Sequence, residues 1–267
     1  FLTLFSTSNA KFFLNFGKFG FMQPEKKQLE ILLMHYFRAC YPAFPKGKLV
    51  PSESPDFVVT LKSKNNLGIE LTRLNPLNAR LPDETELQKN ITREKIIESA
   101  RTLFEGTSSL KLFVKFLFSE NNPVPAEREL LVSVQLANSV RKVVENKSPN
   151  SFFFFFITSE ALPDGLEALL VVRHPELKIS FWERSNNLGV SEDVVADIRE
   201  AIHKKDEKLR HYQKQRLNFY WLLVTTDRLR GVKSYNLPNK ILNHNFHSRF
   251  QHVFLFDLIK SDFYQLV

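Results

Sequence analysis

The chain has 267 residues, 43% of them hydrophobic, so it can bury one large core or two modest ones. Its 37 lysines and arginines exceed its 29 acids, and the net charge of +8 favours a polyanionic partner without specifying one. The single cysteine, Cys40, excludes a disulfide framework and any multi-cysteine zinc site. No uninterrupted apolar run reaches the roughly 18 residues of a membrane span, so we expect a cytoplasmic protein without a membrane partner.

The first 21 residues are rich in phenylalanine but follow neither a helical nor a strand period. They also lack the basic, apolar and small-residue order of a secretory signal. We therefore expect residues 1–21 to be an extension, with the domain beginning near Met22. An ordered pair of strands is the alternative.

In the first half of the domain, the apolar pattern predicts the order helix, strand, strand, strand, helix, strand. Prolines and Gly106 mark the ends of several of these elements. The predicted elements are a helix at 24–41, strands at 48–50, 57–61 and 67–74, a helix at 84–105 and a strand at 110–118.

The pattern in the second half of the domain also predicts helices and strands, in a less regular order. The predicted elements are helices at 126–146 and 192–215, and strands at 152–157, 169–173, 179–182, 220–225 and 253–258. The run SFFFFFIT is typical of a strand buried on both faces. Because the chain shows no internal repeat and no Gly/Ser linker, the pattern predicts one α/β domain over residues 22–267, with a central mixed sheet flanked by helices.

Two acids stand out in ESPDFVVTLKSKNNLGIELTRL, residues 53–74. Asp56 opens the first strand, and Glu70 interrupts the apolar run of the second. An antiparallel return through the loop at 62–66 can bring the two carboxylates together. Two ionised carboxylates about 4 Å apart repel by about 4 kcal/mol at an effective dielectric of about 20. Such a pair requires a proton, a cation or a basic residue between its members.

A symmetric hairpin would keep these acids apart. If its centre lies between Lys64 and Asn65, Asp56 stands opposite Arg73, three residues from Glu70. The acids meet only if the loop is asymmetric or a bulge shifts the register. Otherwise they are acids at strand ends in solvent.

The element order and the two acids together resemble the PD-(D/E)XK nuclease superfamily, which includes many restriction endonucleases and Holliday-junction resolvases. Pro55-Asp56 stands at the start of one strand and Gly68-Ile69-Glu70-Leu71-Thr72 on the next. The resemblance covers about residues 24–118 and implies a restriction-endonuclease-like αβββαβ core, with residues 119–267 as an elaboration. The later AIHKKDEKLRHYQKQRLNFYWLLVTTD is similar to a helix-then-strand block in proteins that we associate with this group.

The resemblance implies that Asp56 and Glu70 bind Mg²⁺ or Mn²⁺, with the backbone carbonyl of Leu71 as a further ligand. Oxygen ligands on a rigid hairpin suit these ions. Glu53, three residues before Asp56, is a candidate for a second metal. Glu30 on the first helix is another candidate, as a helix glutamate is in parts of the superfamily. For these last two acids, solvation is the alternative.

The family places a lysine two positions after the second acid, but Thr72 stands there and cannot supply its positive charge. Some members carry this basic residue on a neighbouring helix. The candidates here are Lys95, with Gln88 on the same helix face, and in second place Lys89. A solvated helix residue is the alternative for both lysines.

Other signals are weaker. NHNFHSRFQH at 243–252 places His244, His247 and His252 close together, but it lacks a nearby acid cluster and ligand spacing on a helix. The basic run at 199–216 is either a solvated helix face or a contact for phosphate groups. There is no glycine-rich phosphate loop and no G-x-S-x-G elbow.

We therefore predict a metal-dependent DNA phosphodiesterase that hydrolyses phosphodiester bonds. The first alternative is a nuclease-fold module without catalysis that binds nucleic acid or a protein partner. The second is an intracellular structural or interaction protein with no nucleic-acid role, which fits if the basic residues are spread evenly over the surface.

Overall fold

The computed structural model describes residues 23–74, 83–185, 193–212, 217–227 and 237–267, so the expectation for residues 1–21 lies outside the described ranges. The α-helices in these ranges are α1 (Gln23–Cys40), α2 (Glu84–Glu105), α3 (Glu129–Val144), α4 (Val194–Tyr212) and α5 (Leu237–Leu242). The strands are β1 (Gly47–Pro51), β2 (Phe57–Leu61), β3 (Asn66–Arg73), β4 (Phe113–Phe118), β5 (Phe153–Thr158), β6 (Leu166–Arg173), β7 (Phe181–Arg184), β8 (Phe219–Thr226), β9 (His252–Asp257) and β10 (Asp262–Gln265). No helix in the described ranges has both the length and the apolar character needed to cross a membrane.

The α/β class with mixed sheets and flanking helices is confirmed, but the prediction of one central sheet is wrong. Sheet A has the order β1-β2-β3-β8-β9-β10, in which β3, β8 and β9 run parallel and the other neighbours antiparallel. Sheet B has the order β5-β6-β4-β7, in which β4 and β7 run parallel. The apolar pattern identified the strands but carried no information about which strands pair.

The strand that follows α2 was expected to join the hairpin sheet, but β4 pairs with β6 and β7 in sheet B. The place beside β3 is filled by β8, which follows α4. The predicted order of helix, three strands, helix and strand is therefore made by α1, β1 to β3, α4 and β8, and its four strands are neighbours in sheet A. Residues 24–118 do not delimit a core in one sheet, because the part of the chain that forms sheet B is inserted between β3 and α4.

Three apolar clusters hold the layers together. The first joins α1 to the inner faces of both sheets, with Tyr36 and Phe37 at its centre. The second packs the outer face of sheet B against α2 and α3. The third packs the outer face of sheet A against α4 and α5. The layers thus run from α4 and α5 through sheet A, the cluster with α1, and sheet B to α2 and α3.

The run SFFFFFIT was expected to be buried on both faces, and this prediction is wrong. It forms β5, an edge strand that pairs with β6. None of its side chains is fully buried, and Phe156 is 44% exposed. A continuous apolar run is also compatible with an edge strand whose two faces each pack on part of a neighbouring cluster, as Phe153 and Phe154 do here.

Candidate functional site

The hairpin of β2 and β3 brings the two predicted acids together. Phe57 pairs with Ile69, so the register is shifted by three residues from the symmetric one that would set Asp56 opposite Arg73. One step beyond the Phe57–Ile69 pair, Asp56 lies beside Glu70. The shift in register that the two acids require is therefore present.

This register originates in the loop between the strands. The N–H of Lys64 donates to the carbonyl of Leu61 at 3.0 Å, and the N–H of Leu61 donates to the carbonyl of Asn65 at 2.9 Å. Lys64 has a φ of 66°, in the left-handed region that residues other than glycine seldom adopt. A turn closed by one left-handed residue is a common three-residue hairpin connection, and it replaces the symmetric turn expected at Lys64 and Asn65.

Asp56 is held by its carboxylate and by its backbone. The N–H of Leu71 donates to Asp56 Oδ2 at 2.7 Å. From α1, the Lys27 ammonium group donates to the carbonyl of Ser52 and, at 3.2 Å, to the carbonyl of Asp56. These bonds fix the segment that precedes β2 against both β3 and α1.

Gly68 lets this segment lie directly on β3. A Cβ at position 68 would stand 2.6 Å from Pro55 Cγ and 2.8 Å from Leu217 Cδ1, closer than such atoms approach. The residue before Asp56 therefore packs on a strand position that has no side chain. This close packing is the physical reason for a glycine two residues before Glu70.

The basic residue at the acids comes from α4. Lys205 Nζ donates to Glu70 Oε1 at 2.6 Å and to the carbonyl of Leu71 at 2.9 Å. The Lys205 and Glu70 side chains are 15% and 6% exposed. An ammonium group thus stands beside the acid pair, although Thr72 occupies the motif position.

Lys205 was not predicted, but the sequence contains a signal for it. Ile198, Ile202 and Leu209 are buried on the face of α4 that packs on sheet A. Lys205 falls three residues after Ile202 and four before Leu209, on the same stripe. A lysine on the inward stripe of a helix requires a buried partner, because an unpaired ammonium group is costly to bury.

The two carboxylates of the acid pair repel each other, and Lys205 offsets part of this repulsion. Burial, and after it repulsion from Glu70, raise the pKa of Asp56 to about 6, while the hydrogen bond from Leu71 acts in the opposite direction. Glu30 adds a smaller repulsion from α1, where Lys26 and Lys27 each lie 3.5 Å from its carboxylate. At neutral pH this arrangement favours the binding of a further cation.

The acids open into a cavity of about 470 Å³ between α1, α4, the end of β3 and sheet B. Its lining includes six carboxylates and five cationic side chains. Among the predicted residues, the cavity is lined by Asp56, Glu70, Leu71, Thr72, Glu53 and Glu30. The structure therefore brings all the hairpin candidates to one place.

The candidates on α2 lie elsewhere. Gln88 and Lys89 line a different cavity, near the start of α2, together with Arg93. Lys95 is exposed on α2, which packs on α3 and β7. None of these residues lines the cavity of the acid pair, and Lys205 takes the position for which Lys95 was proposed.

A second ionic network lines the same cavity. Lys115 Nζ donates to Glu183 Oε2 at 2.6 Å and to Asp227 Oδ2 at 3.0 Å. Arg73 Nη2 donates to the same Asp227 oxygen at 2.7 Å. Because Lys115 belongs to sheet B and Asp227 follows β8 of sheet A, this network ties the two sheets together beside the acid pair.

The histidines of residues 243–252 do not line this cavity. His244 lies 3.0 Å from an Arg199 nitrogen and packs on Phe246, and His252 packs on Trp221. Within the described ranges, no group of three or more histidine, cysteine, aspartate or glutamate side chains is arranged to hold a metal ion.

Cys40 is half-buried on α1. Burial and the nearby Asp262 raise the pKa of its thiol to about 11. A reactive cysteine requires the opposite shift in pKa, so this thiol is suited to packing.

Comparison of the chain with protein-family models, curated proteins and solved structures found no match. The resemblance to PD-(D/E)XK nucleases therefore stays a prediction, and the site is interpreted from its own chemistry.

Proposed function

We propose that the protein is a metal-dependent phosphodiesterase of the PD-(D/E)XK type that acts on DNA. The observation that carries the proposal is the contact of Lys205 with Glu70 and the carbonyl of Leu71, beside Asp56. An ammonium group at this position supplies the charge that Thr72 lacks. The order of α1, the three strands, α4 and β8 in sheet A also supports the proposal, because α4 carries this lysine.

Asp56, Glu70 and the carbonyl of Leu71 would hold Mg²⁺ or Mn²⁺. All three donors are oxygens, which these hard cations prefer, and the repulsion between Asp56 and Glu70 favours a cation. When bound, such a metal lowers the pKa of a coordinated water and neutralises charge on a phosphate. Glu53 and Glu30 line the same cavity and are candidates to contact the metal through water.

The role of Lys205 is electrostatic. Hydrolysis of a phosphodiester builds negative charge on the phosphoryl oxygens, and a preorganised cation at the site stabilises it. The bonds that Lys205 makes with Glu70 and Leu71 hold its ammonium group beside the acids before substrate arrives. The low exposure of both side chains strengthens these interactions, because little water screens them.

One observation favours a second function. The Lys205 ammonium group already bonds two of the three proposed metal ligands, so it can hold the hairpin together without a metal. The protein would then be a nuclease-fold module that binds nucleic acid and does not cleave it. Exposed basic residues of α4, such as Lys204 and Lys208, would contact the phosphates.

The deciding experiment compares wild type with Glu70→Gln on single- and double-stranded DNA, with Mg²⁺ or Mn²⁺. We expect the substitution to weaken Mg²⁺ binding and abolish cleavage, with DNA binding intact or tighter because negative charge is lost. Glu105→Gln is the matched control, since Glu105 is a partly buried glutamate that binds Lys111 at 3.1 Å outside the cavity. This control should cleave like wild type.

Equal cleavage by wild type and Glu70→Gln would indicate a contaminant and remove Glu70 from the site. If neither protein cleaves any substrate with either metal, while affinity for DNA still falls steeply with salt, the binding module is the correct function.

A further inference from the structure

Arg73 is the most accessible member of the second ionic network. Its side chain is 42% exposed and lines the cavity, whereas Asp227 and Lys115 are 6% and 2% exposed. Arg73 lies three residues beyond Glu70 on β3, about 10 Å along the strand. Because side chains alternate, Arg73 leaves β3 on the face opposite Glu70, so the cavity continues around the end of this strand.

Asp227 fixes the direction of the Arg73 side chain. One guanidinium nitrogen of Arg73 donates to Asp227 Oδ2 at 2.7 Å, and Lys115 holds the same oxygen at 3.0 Å from the other sheet. A guanidinium carries five N–H donors in a rigid plane. With one edge anchored on a buried carboxylate, another edge is presented to the cavity.

We propose that Arg73 binds a phosphate of the substrate that neighbours the phosphodiester cleaved at Asp56 and Glu70. A planar guanidinium matches two phosphate oxygens at once, which a lysine cannot do. The substrate is therefore a strand with several phosphates, and an isolated phosphodiester lacks the group that Arg73 recognises. This inference rests on the proposed function, since it assigns the cleaved bond to the acid pair.

A purely structural role for Arg73 predicts a different dependence on the substrate. If Arg73 only neutralises Asp227, its removal lowers the free energy of unfolding and affects all substrates equally. The two roles therefore differ in their dependence on the length of the substrate.

The test uses Arg73→Gln with two substrates, a single-stranded oligonucleotide and bis(p-nitrophenyl) phosphate, which has one phosphodiester and no neighbouring phosphate. We expect kcat/KM for the oligonucleotide to fall about ten- to a hundredfold, mainly through KM, as for loss of a hydrogen bond to a charged group. Hydrolysis of the small diester should be unchanged. Arg73→Lys should recover part of the loss, because it restores the charge without the planar fork.

Arg128→Gln is the matched control. Arg128 binds Asp164 at 3.2 Å with a side chain that is 38% exposed, and it does not line the cavity. It should behave like wild type with both substrates. An equal loss with both substrates in Arg73→Gln, or no loss with the oligonucleotide, would overturn the inference.

If wild type cleaves neither substrate, the proposed function fails, and oligonucleotide binding decides the inference separately. Arg73→Gln should then reduce the slope of log affinity against log salt by about 0.7, the value expected when one phosphate of a single strand is no longer neutralised by the protein. An unchanged slope, or no binding by wild type, would overturn the assignment of Arg73.

Discussion

Two pairs of acids line one cavity, and a lysine contacts each pair, but the environments of the two lysines differ. Lys115 is 2% exposed and binds both Glu183 and Asp227. Arg73 supplies a second cation to Asp227. Among the described residues, this network contains two cations and two carboxylates.

At the other pair, the described residues place one contacting cation, Lys205, against two carboxylates. Lys205 binds Glu70, while the carboxylate of Asp56 accepts a hydrogen bond from the backbone of Leu71. The pKa of Asp56 is raised to about 6 by burial and by Glu70, and the side chain of Lys205 retains 15% exposure. The network around Asp227 ties the two sheets together, whereas we propose that the Asp56–Glu70 pair binds a metal ion.

The largest effect should come from Lys115→Met. Removing the lysine leaves Glu183 and Asp227 without the cation that both of them contact, and breaking a buried pair costs about 3–5 kcal/mol. We expect a loss of this size in the free energy of unfolding, measured by urea denaturation. Lys111→Met, which removes an ion pair to Glu105 from a lysine that is 35% exposed, should cost no more than about 1 kcal/mol. Equal stability of Lys115→Met and wild type would show that the network does not tie the sheets.

Lys205→Met should lower the rate of DNA cleavage more than it lowers the free energy of unfolding. Methionine suits the apolar stripe of α4, but the site loses its preorganised cation, so we expect kcat for DNA cleavage to fall about 10²–10³-fold. Lys240→Met, on α5 with a side chain that is 63% exposed and 3.8 Å from Asp193, is the control and should keep its activity. If Lys205→Met keeps full activity, or unfolds as readily as Lys115→Met, the distinction between the two lysines is wrong.

Asp56→Asn tests the charge imbalance through pH. The pKa of Asp56 is raised from 3.8 to about 6, so between these values the folded state binds more protons than the unfolded state. The stability that Asp56 contributes below this window is therefore lost as pH rises through it. We expect Asp56→Asn, measured by thermal melts without divalent metal, to gain stability relative to wild type as pH rises from about 4 to about 6.

The quantity to compare is the difference in thermal stability between Asp56→Asn and wild type at each pH. Burial, together with His174 and Arg38, lowers the pKa of His35 to about 4. That contribution is lost as pH falls through the same window, so it opposes the effect of Asp56 in either protein alone. A constant difference across the window would show that Asp56 is not destabilised when ionised.

The smallest effect is expected from Lys95→Ala. Lys95 is exposed on α2 and does not line the cavity, so kcat/KM for DNA should be unchanged. A loss as large as that in Lys205→Met would restore the assignment of Lys95 from sequence and remove Lys205 from the catalytic site.

Much of the candidate site could be predicted from sequence, because its acids interrupt apolar strands at positions where packing does not explain them. The register of the hairpin could not, since it depends on Lys64 entering a conformation that lysine seldom adopts. A local pattern predicts that a strand exists, but its neighbours are set by tertiary packing, which is why β4 was assigned to the wrong sheet.

Lys205 illustrates a different limit. The sequence candidates for the missing basic residue lie on α2, the helix that follows the hairpin in the chain. The strand that pairs with β3 in sheet A is β8, however, and the helix before β8 is α4. The lysine on the apolar stripe of α4 was visible in the sequence, but its partner was not, because a helix pattern does not specify the strand on which it packs.

The distance in sequence between Lys205 and Glu70 determines when the site can form. These residues are 135 positions apart, and the whole of sheet B is made between them. During synthesis from the N-terminus, the acidic hairpin is complete well before α4 exists. The ordered site is therefore among the last features that a newly made chain acquires. Local unfolding that detaches α4 would remove the cation while the hairpin stays paired, so the site can be lost before the fold is.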